Sequence, residues 1–225
     1  DMPRDYYRNR DQLLTLAAMA AVTSTLRLGT GICVVVQRDP ILLAKEIATL
    51  DQLSQGRLLF GVGAGSPWNL EEMRNHGTDP RTRMRLMAER MAAMQEIWTN
   101  DEAEYHGEFV RFDPINSWPK PVQRPRPKVF VGGDGPTVLD RVLAFGDGWM
   151  PGHPHDMGLF TSRVAELRER ATASGRGRME ISVFLAHLDR LDDYRAAGVD
   201  RLVVMLPTGW ERKVLKEVAD VAAHS

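Results

Sequence analysis

The chain has 225 residues, 43% of them hydrophobic, and its 29 lysines and arginines nearly balance 30 acidic residues to leave a net charge of -1. That length buries one large core, and the near-neutral balance, with no basic block interleaved with aromatics, argues against nucleic acid as a partner. A single cysteine, Cys33, rules out an internal disulfide framework, no run is long and apolar enough to span a bilayer, and Asp1-Met2-Pro3-Arg4 does not read as a signal peptide, so a reducing cytoplasm is expected.

In chain order, Asp11 to Thr25 reads as a helix with little polar surface, buried on most sides. Leu26 to Val36 reads as a strand interrupted by Gly29-Thr30-Gly31. Asp39-Pro40 is a strong helix start, with Asp39 as N-cap and Pro40 at the first helical position, and the helix stops near Ser54-Gln55-Gly56. Arg57 to Val62 follows as a buried strand without polar alternation, and Gly61-Val62-Gly63-Ala64-Gly65 carries glycines where a ligand could approach the main chain. Glu71 and Glu72 read as a solvated helix start. Pro80 to Trp98 repeats Met84, Met87, Met91, Met94 and Trp98 at helical spacing, which predicts a core stripe rather than a binding groove. Residues 101–127 form a proline-rich excursion within one domain, with a small hairpin at Glu104 to Phe109 and with Pro114, Pro119, Pro121, Pro125 and Pro127 opposing regular ladder pairing.

The remainder alternates. Strands are predicted at 129–131, 148–150, 180–186 and 201–206, and helices at 136–145, 159–173, 189–197 and 211–222. Alternation of this kind gives a parallel sheet with right-handed crossovers. Six strands are counted, two fewer than a (β/α)8 barrel requires. Gly132-Gly133-Asp134-Gly135-Pro136 stands before a helix, where free backbone N–H groups and the helix dipole suit a phosphate.

Several stretches closely resemble the bacterial luciferase-like monooxygenase superfamily: Leu26 to Ile32, Asp39 to Lys45, Thr49 to Arg57 and Gly61 to Gly65. Trp118-Pro119-Lys120-Pro121-Val122-Gln123, Val131-Gly132-Gly133 and Gly146 to Pro151 are similar to the branch that uses the deazaflavin coenzyme F420. The resemblance covers essentially the whole chain and implies a TIM (β/α)8 barrel, its first two strands preceding the region where this chain begins, with a flavin or deazaflavin at the carboxyl ends of the strands. It implies a bulge and a cis Gly31–Ile32 bond at Thr30-Gly31-Ile32 behind the ring, close approach at Gly63, Ala64 and Gly65, a hydrogen bond from Asn69 to the cofactor tail, and phosphate binding by Gly132, Gly133, Asp134, Gly135 and Pro136. The implied activity is hydride transfer between coenzyme F420 and an organic substrate, with FMN as the alternative cofactor. The loop at Gly132 to Pro136 shows no arginine of its own to clamp a terminal phosphate dianion, which favours the internal diester of the deazaflavin.

Ser66-Pro67 departs from the family pattern and leaves the register at Trp68-Asn69 open. The family's acid or base near the ring lies upstream of this chain's first residue, so matching assigns none. His187, after the strand ending at Ala186, is the candidate catalytic group, while His153 and His155 read as solvated loop histidines and no metal site is expected. Two other readings stay open: a non-redox TIM-barrel enzyme acting on a phosphorylated substrate, and a Rossmann enzyme using Gly61 to Gly65, which Ser66-Pro67 disfavours by blocking smooth entry into a helix. The apolar helices at 11–25 and 41–53 predict a homodimer.

Overall fold

Uninterrupted apolar runs become the staves of a parallel sheet, and the helical stripes cover its outer face. The structure, a computed structural model, describes residues 9–206 and 211–223; the residues at 1–4 weighed above as a leader lie outside these. Helix α1 (Gln12–Val22) is capped by Asp11, whose carboxylate accepts from the amides of Leu13 and Leu14. Strands β1 (Leu28–Gly29) and β2 (Cys33–Val34) are two short pieces of one stave, both paired in parallel with β3 (Leu58–Gly63). The strand over 26–36, predicted with an interruption at Gly29-Thr30-Gly31, is broken at Thr30–Ile32 and gives way to a 3-10 turn at Val35–Gln37.

Between these staves runs α2 (Pro40–Leu53), with Asp39 accepting from Leu42 N–H at 2.9 Å as the Asp-Pro start predicts. A short helix α3 (Leu70–Asn75), with the exposed Glu71 and Glu72 in its first turn, leads to α4 (Arg83–Thr99). On α4 the core stripe is real for Met87, Met91, Met94 and Trp98, while Met84 is exposed.

The excursion holds β4 (Glu102–His106) and β5 (Arg111–Asn116), an antiparallel pair longer than the predicted hairpin. Pro114 lies inside β5, at a register shift between Ala103 and Tyr105 where no ladder donor is required, so this proline does not prevent pairing. The Trp118 to Gln123 motif then straps the excursion to the barrel. Buried Lys120 donates to the Ile97 carbonyl at 2.7 Å, and Gln123 donates to the buried Asp51 carboxylate at 2.7 Å and the Leu58 carbonyl at 2.8 Å.

The second half runs β6 (Lys128–Gly132), α5 (Val138–Phe145), β7 (Gly148–Met150), α6 (Met157–Ala173), β8 (Glu180–Phe184), α7 (Leu191–Ala196), β9 (Arg201–Val203) and α8 (Glu211–Ala222). The main sheet is parallel in the order β1-β3-β6-β7-β8-β9, six staves as counted from sequence. It is a curled α/β sheet of the TIM-barrel kind, and its carboxyl strand ends gather on one rim. No helix among the described residues is long and apolar enough to cross a membrane.

Candidate functional site

The rim at the carboxyl strand ends has three parts. The first is the break between β1 and β2. Thr30, 2% exposed, donates its hydroxyl to the Gly61 carbonyl at 2.7 Å, and the Gly31–Ile32 bond is cis. A Cβ on Gly61 would overlap the Thr30 carbonyl oxygen, and one on Gly63 would overlap the end of the Ile32 side chain. A Cβ on Gly132 would lie 2.9 Å from Ile32 Cγ2. The glycines at 61 and 63 are therefore matched to the close packing of Thr30–Ile32 against this strand. Ile32 in turn packs with Phe184 on the interior cluster of Leu59, Phe130 and Met150.

Farther along the same stretch, Gly65 adopts φ +78° and Ala64 is buried. The Asn69 side chain accepts from Ser66 N–H at 3.1 Å and donates to Glu72 at 2.8 Å. Its amide thus caps the 3-10 turn at Pro67–Asn69.

The second part is the loop from Gly132 to Pro136, between β6 and α5. Trp149 Nε1 donates to the Gly133 carbonyl, and Arg163 on α6 donates from Nη1 to the Asp134 carbonyl and from Nη2 to the Gly135 carbonyl, each at 2.8 Å. The Asp134 carboxylate accepts from Gly152 N–H at 3.3 Å. These bonds hold the carbonyls, whereas the amides of Asp134 and Gly135 meet no acceptor among the described residues. Residues 133–137 are exposed, Gly133 has φ +109°, and neither Gly133 nor Gly135 has any atom within 4 Å of where a Cβ would stand. Free amides, open space and the start of α5 fit a phosphate group. The loop is not without a nearby arginine, as its own sequence suggests: Arg163 reaches it from 27 to 31 residues downstream, with its fork engaged by two carbonyls. Nothing local in the sequence signals this contact.

The third part is assembled from the loops after β7 and β8. The rings of His153 and His187 stack with centroids 3.9 Å apart and planes 19° apart, and His155 meets His153 edge-on at 5.7 Å. Tyr194 of α7, 1% exposed, has its hydroxyl 3.0 Å from His153 Nδ1 and 3.3 Å from the donating His187 N–H. His153 is therefore not a separately solvated loop histidine. Partial burial, and then the neighbouring His187, Arg190 and His155, hold its imidazole below the ordinary value, against a smaller opposing pull from Asp189. His187 is exposed at the head of the 3-10 turn Leu188–Arg190 and lies with these partners, not with the Thr30–Ile32 segment. Among the described residues no three His, Cys, Asp or Glu side chains are arranged to hold a metal ion.

Residues 3–203 match the family model described as luciferase-like monooxygenase. An uncharacterized protein of Mycobacterium tuberculosis (strain ATCC 25618 / H37Rv) is 40% identical over 211 residues, covering 92% of this chain and 73% of that one. The FMNH(2)-dependent dimethylsulfone monooxygenase of Pseudomonas putida is 32% identical over 162 residues, 70% of this chain and 44% of that one. Among solved structures, monooxygenase RslO1 from Streptomyces bottropensis superposes with a TM-score of 0.71 at 25% identity, over 95% of this chain and 63% of that one. An F420-dependent secondary alcohol dehydrogenase in complex with an F420-acetone adduct superposes with a TM-score of 0.76 at 17% identity, over 87% of this chain and 78% of that one, a likeness of fold. The chain thus spans less than two thirds of the length of some of the proteins it matches.

Proposed function

The chain belongs to the luciferase-like monooxygenase family, and from that premise we propose that it is an oxidoreductase that uses the deazaflavin coenzyme F420, passing hydride between it and an organic substrate. The observation that carries this reading is the Gly132–Pro136 loop, where pinned carbonyls leave the Asp134 and Gly135 amides free in open space. These amides would hold the phosphate of the cofactor tail, and Thr30–Ile32 with Gly63–Gly65 would form the wall beside the ring. When bound, the cofactor supplies the hydride chemistry. The residues of the chain place it, exclude water through the Ile32 and Phe184 cluster, and provide hydrogen-bonding groups around the mouth.

The choice of deazaflavin over FMN rests on charge. Arg163 gives both terminal nitrogens to backbone carbonyls, and the Asp134 carboxylate stands on the same loop. A terminal phosphate dianion meets an acidic neighbour and an Arg163 fork already engaged, with Arg141 held at Thr137 through Nη1, whereas a singly charged diester needs only the backbone donors. Titration of the full chain with F420 and with FMN, followed by absorbance and fluorescence, is expected to show tighter binding of F420. Equal affinity, or tighter FMN, overturns the preference, and binding of neither overturns the oxidoreductase reading.

The chain is further proposed to form a homodimer through α1 and α2. Helix α1 buries only Leu13 and Ala20, leaving Leu14 and Val22 75% and 82% exposed, and it borders a cleft of about 450 Å³ whose apolar lining includes Ala17, Leu42, Leu50 and Leu53. Light scattering at micromolar concentration should give twice the chain mass of 25.3 kDa, and a monomer mass removes the proposal.

A further inference from the structure

We infer that His153 and His187 form a one-proton pair, keyed by Tyr194, that meets a hydroxyl or carbonyl oxygen of the organic substrate at the rim of the barrel; this deepens the oxidoreductase reading and rests on it. Neither ring is a structural histidine sealed in a core. His187 is exposed and His153 half-buried, both at the carboxyl ends of neighbouring strands, and Gly152 beside His153 bonds to Asp134 of the phosphate-type loop. The stacked arrangement, centroids 3.9 Å apart, makes a proton on one imidazole oppose a proton on the other.

Tyr194 determines which nitrogen of His153 carries the proton. Its oxygen accepts from His187 N–H, and a buried hydroxyl also needs an acceptor of its own, which in this inference is His153 Nδ1 at 3.0 Å. Nδ1 is then an acceptor, and the neutral ring carries its proton on Nε2. A neutral donor of this kind suits a neutral oxygen.

The surrounding charges agree. Arg190 is paired with Asp193 at 2.9 Å, Arg195 is paired with Asp192 at 3.2 Å, Asp189 adds a further negative charge, and His155 faces His153 edge-on. Arg190, the cation beside His153, is already paired with Asp193, so no unpaired cation among these groups stands ready to hold a carboxylate. A substrate alcohol losing hydride from carbon to the cofactor ring would pass its hydroxyl proton to the imidazole lone pair of His187, while His153 donates from Nε2 to the same oxygen, and would leave as the carbonyl compound; the reverse reaction returns the proton from His187 to oxygen.

The test is a histidine side-chain NMR titration of the full chain, with His187→Asn and Tyr194→Phe variants. His153 is expected as the Nε2–H tautomer, with its midpoint moving up when His187 is replaced and its tautomer preference lost when the Tyr194 hydroxyl is removed. Cyclohexanol and cyclohexanone at millimolar concentration should perturb both rings, and cyclohexanecarboxylate should not. A His153 midpoint indifferent to His187→Asn overturns the pair, as does perturbation by the carboxylate alone. These readouts need no cofactor. A coupled pair in a chain that binds neither F420 nor FMN removes the oxidoreductase reading and leaves the proton pair, whereas tight F420 binding with independent histidines removes only the pair.

Discussion

Around Thr30–Ile32 the rim is made by exclusion, with Gly61, Gly63 and Gly132 lacking the room for a methyl group because a neighbouring stave comes so close. Around His153 and His187 it is made by convergence, with polar side chains from separate loops meeting over strand ends that share few sequence cues. The first region is a shape written in single residues, and the second brings His153 to His187 and Tyr194, 34 and 41 positions away. The difference shows why a fold family can keep its wall while its substrate end varies: the wall is constrained by the backbone, the rim by side chains on loops.

The largest expected effect comes from testing the wall against the open loop. Gly61→Ala sets a methyl group against the Thr30 carbonyl, a backbone atom that cannot swing away, and should cost about 3 kcal/mol of stability. Gly133→Ala meets no atom within 4 Å and suffers only from φ +109°, which should cost about 1–2 kcal/mol. Denaturant unfolding of both variants checks the order, and a reversed order breaks the comparison. Thr30→Val sharpens it, since the loss of the buried hydroxyl bond to Gly61 should cost about 1 kcal/mol while Thr30→Ser retains most of it.

The same contrast explains what was legible in the sequence. The Asp39-Pro40 start, the buried β3 run and the six staves depend on local pattern, and the structure contains them. The interruption of the stave over 26–36 is legible in Gly29-Thr30-Gly31, and the cis Gly31–Ile32 bond that the resemblance implies is present, whereas the 3-10 turn over the last predicted strand residues is not signalled by β propensity. Pro114 was taken as a breaker because the bulge that accommodates it is a property of the pair. Helix α1 has little polar surface, and in the single chain it buries Leu13 and Ala20 and leaves Leu14 and Val22 open, which its composition alone does not apportion between core and partner. The glycine runs Gly61 to Gly65 and Gly132 to Gly135 are legible from their spacing after apolar strands. Arg163, Trp149 Nε1 and Tyr194 are not legible in the sequence, because each acts through a contact made only when distant elements pack.

The smallest effect belongs to the polar rim, and its sign separates the two regions. The folded His153 imidazole is held below its ordinary value of 6.5, chiefly by partial burial and then by His187. As pH falls through that ordinary value the unfolded chain takes up a proton that the folded chain refuses, so the folded state loses stability, and the loss levels off below the folded midpoint. Above the ordinary value both states are neutral at this position and the contribution is fully present. Because much of the ring is open to solvent, the change should be smaller than either glycine effect. Thermal unfolding of wild type and His153→Asn from pH 7.5 to pH 5 measures it: the variant should lose less stability on acidification, while the difference between wild type and Gly61→Ala stays constant with pH. A pH-dependent Gly61→Ala difference would mean that the wall and the rim are coupled, and that the exclusion on one side is felt by the protons on the other.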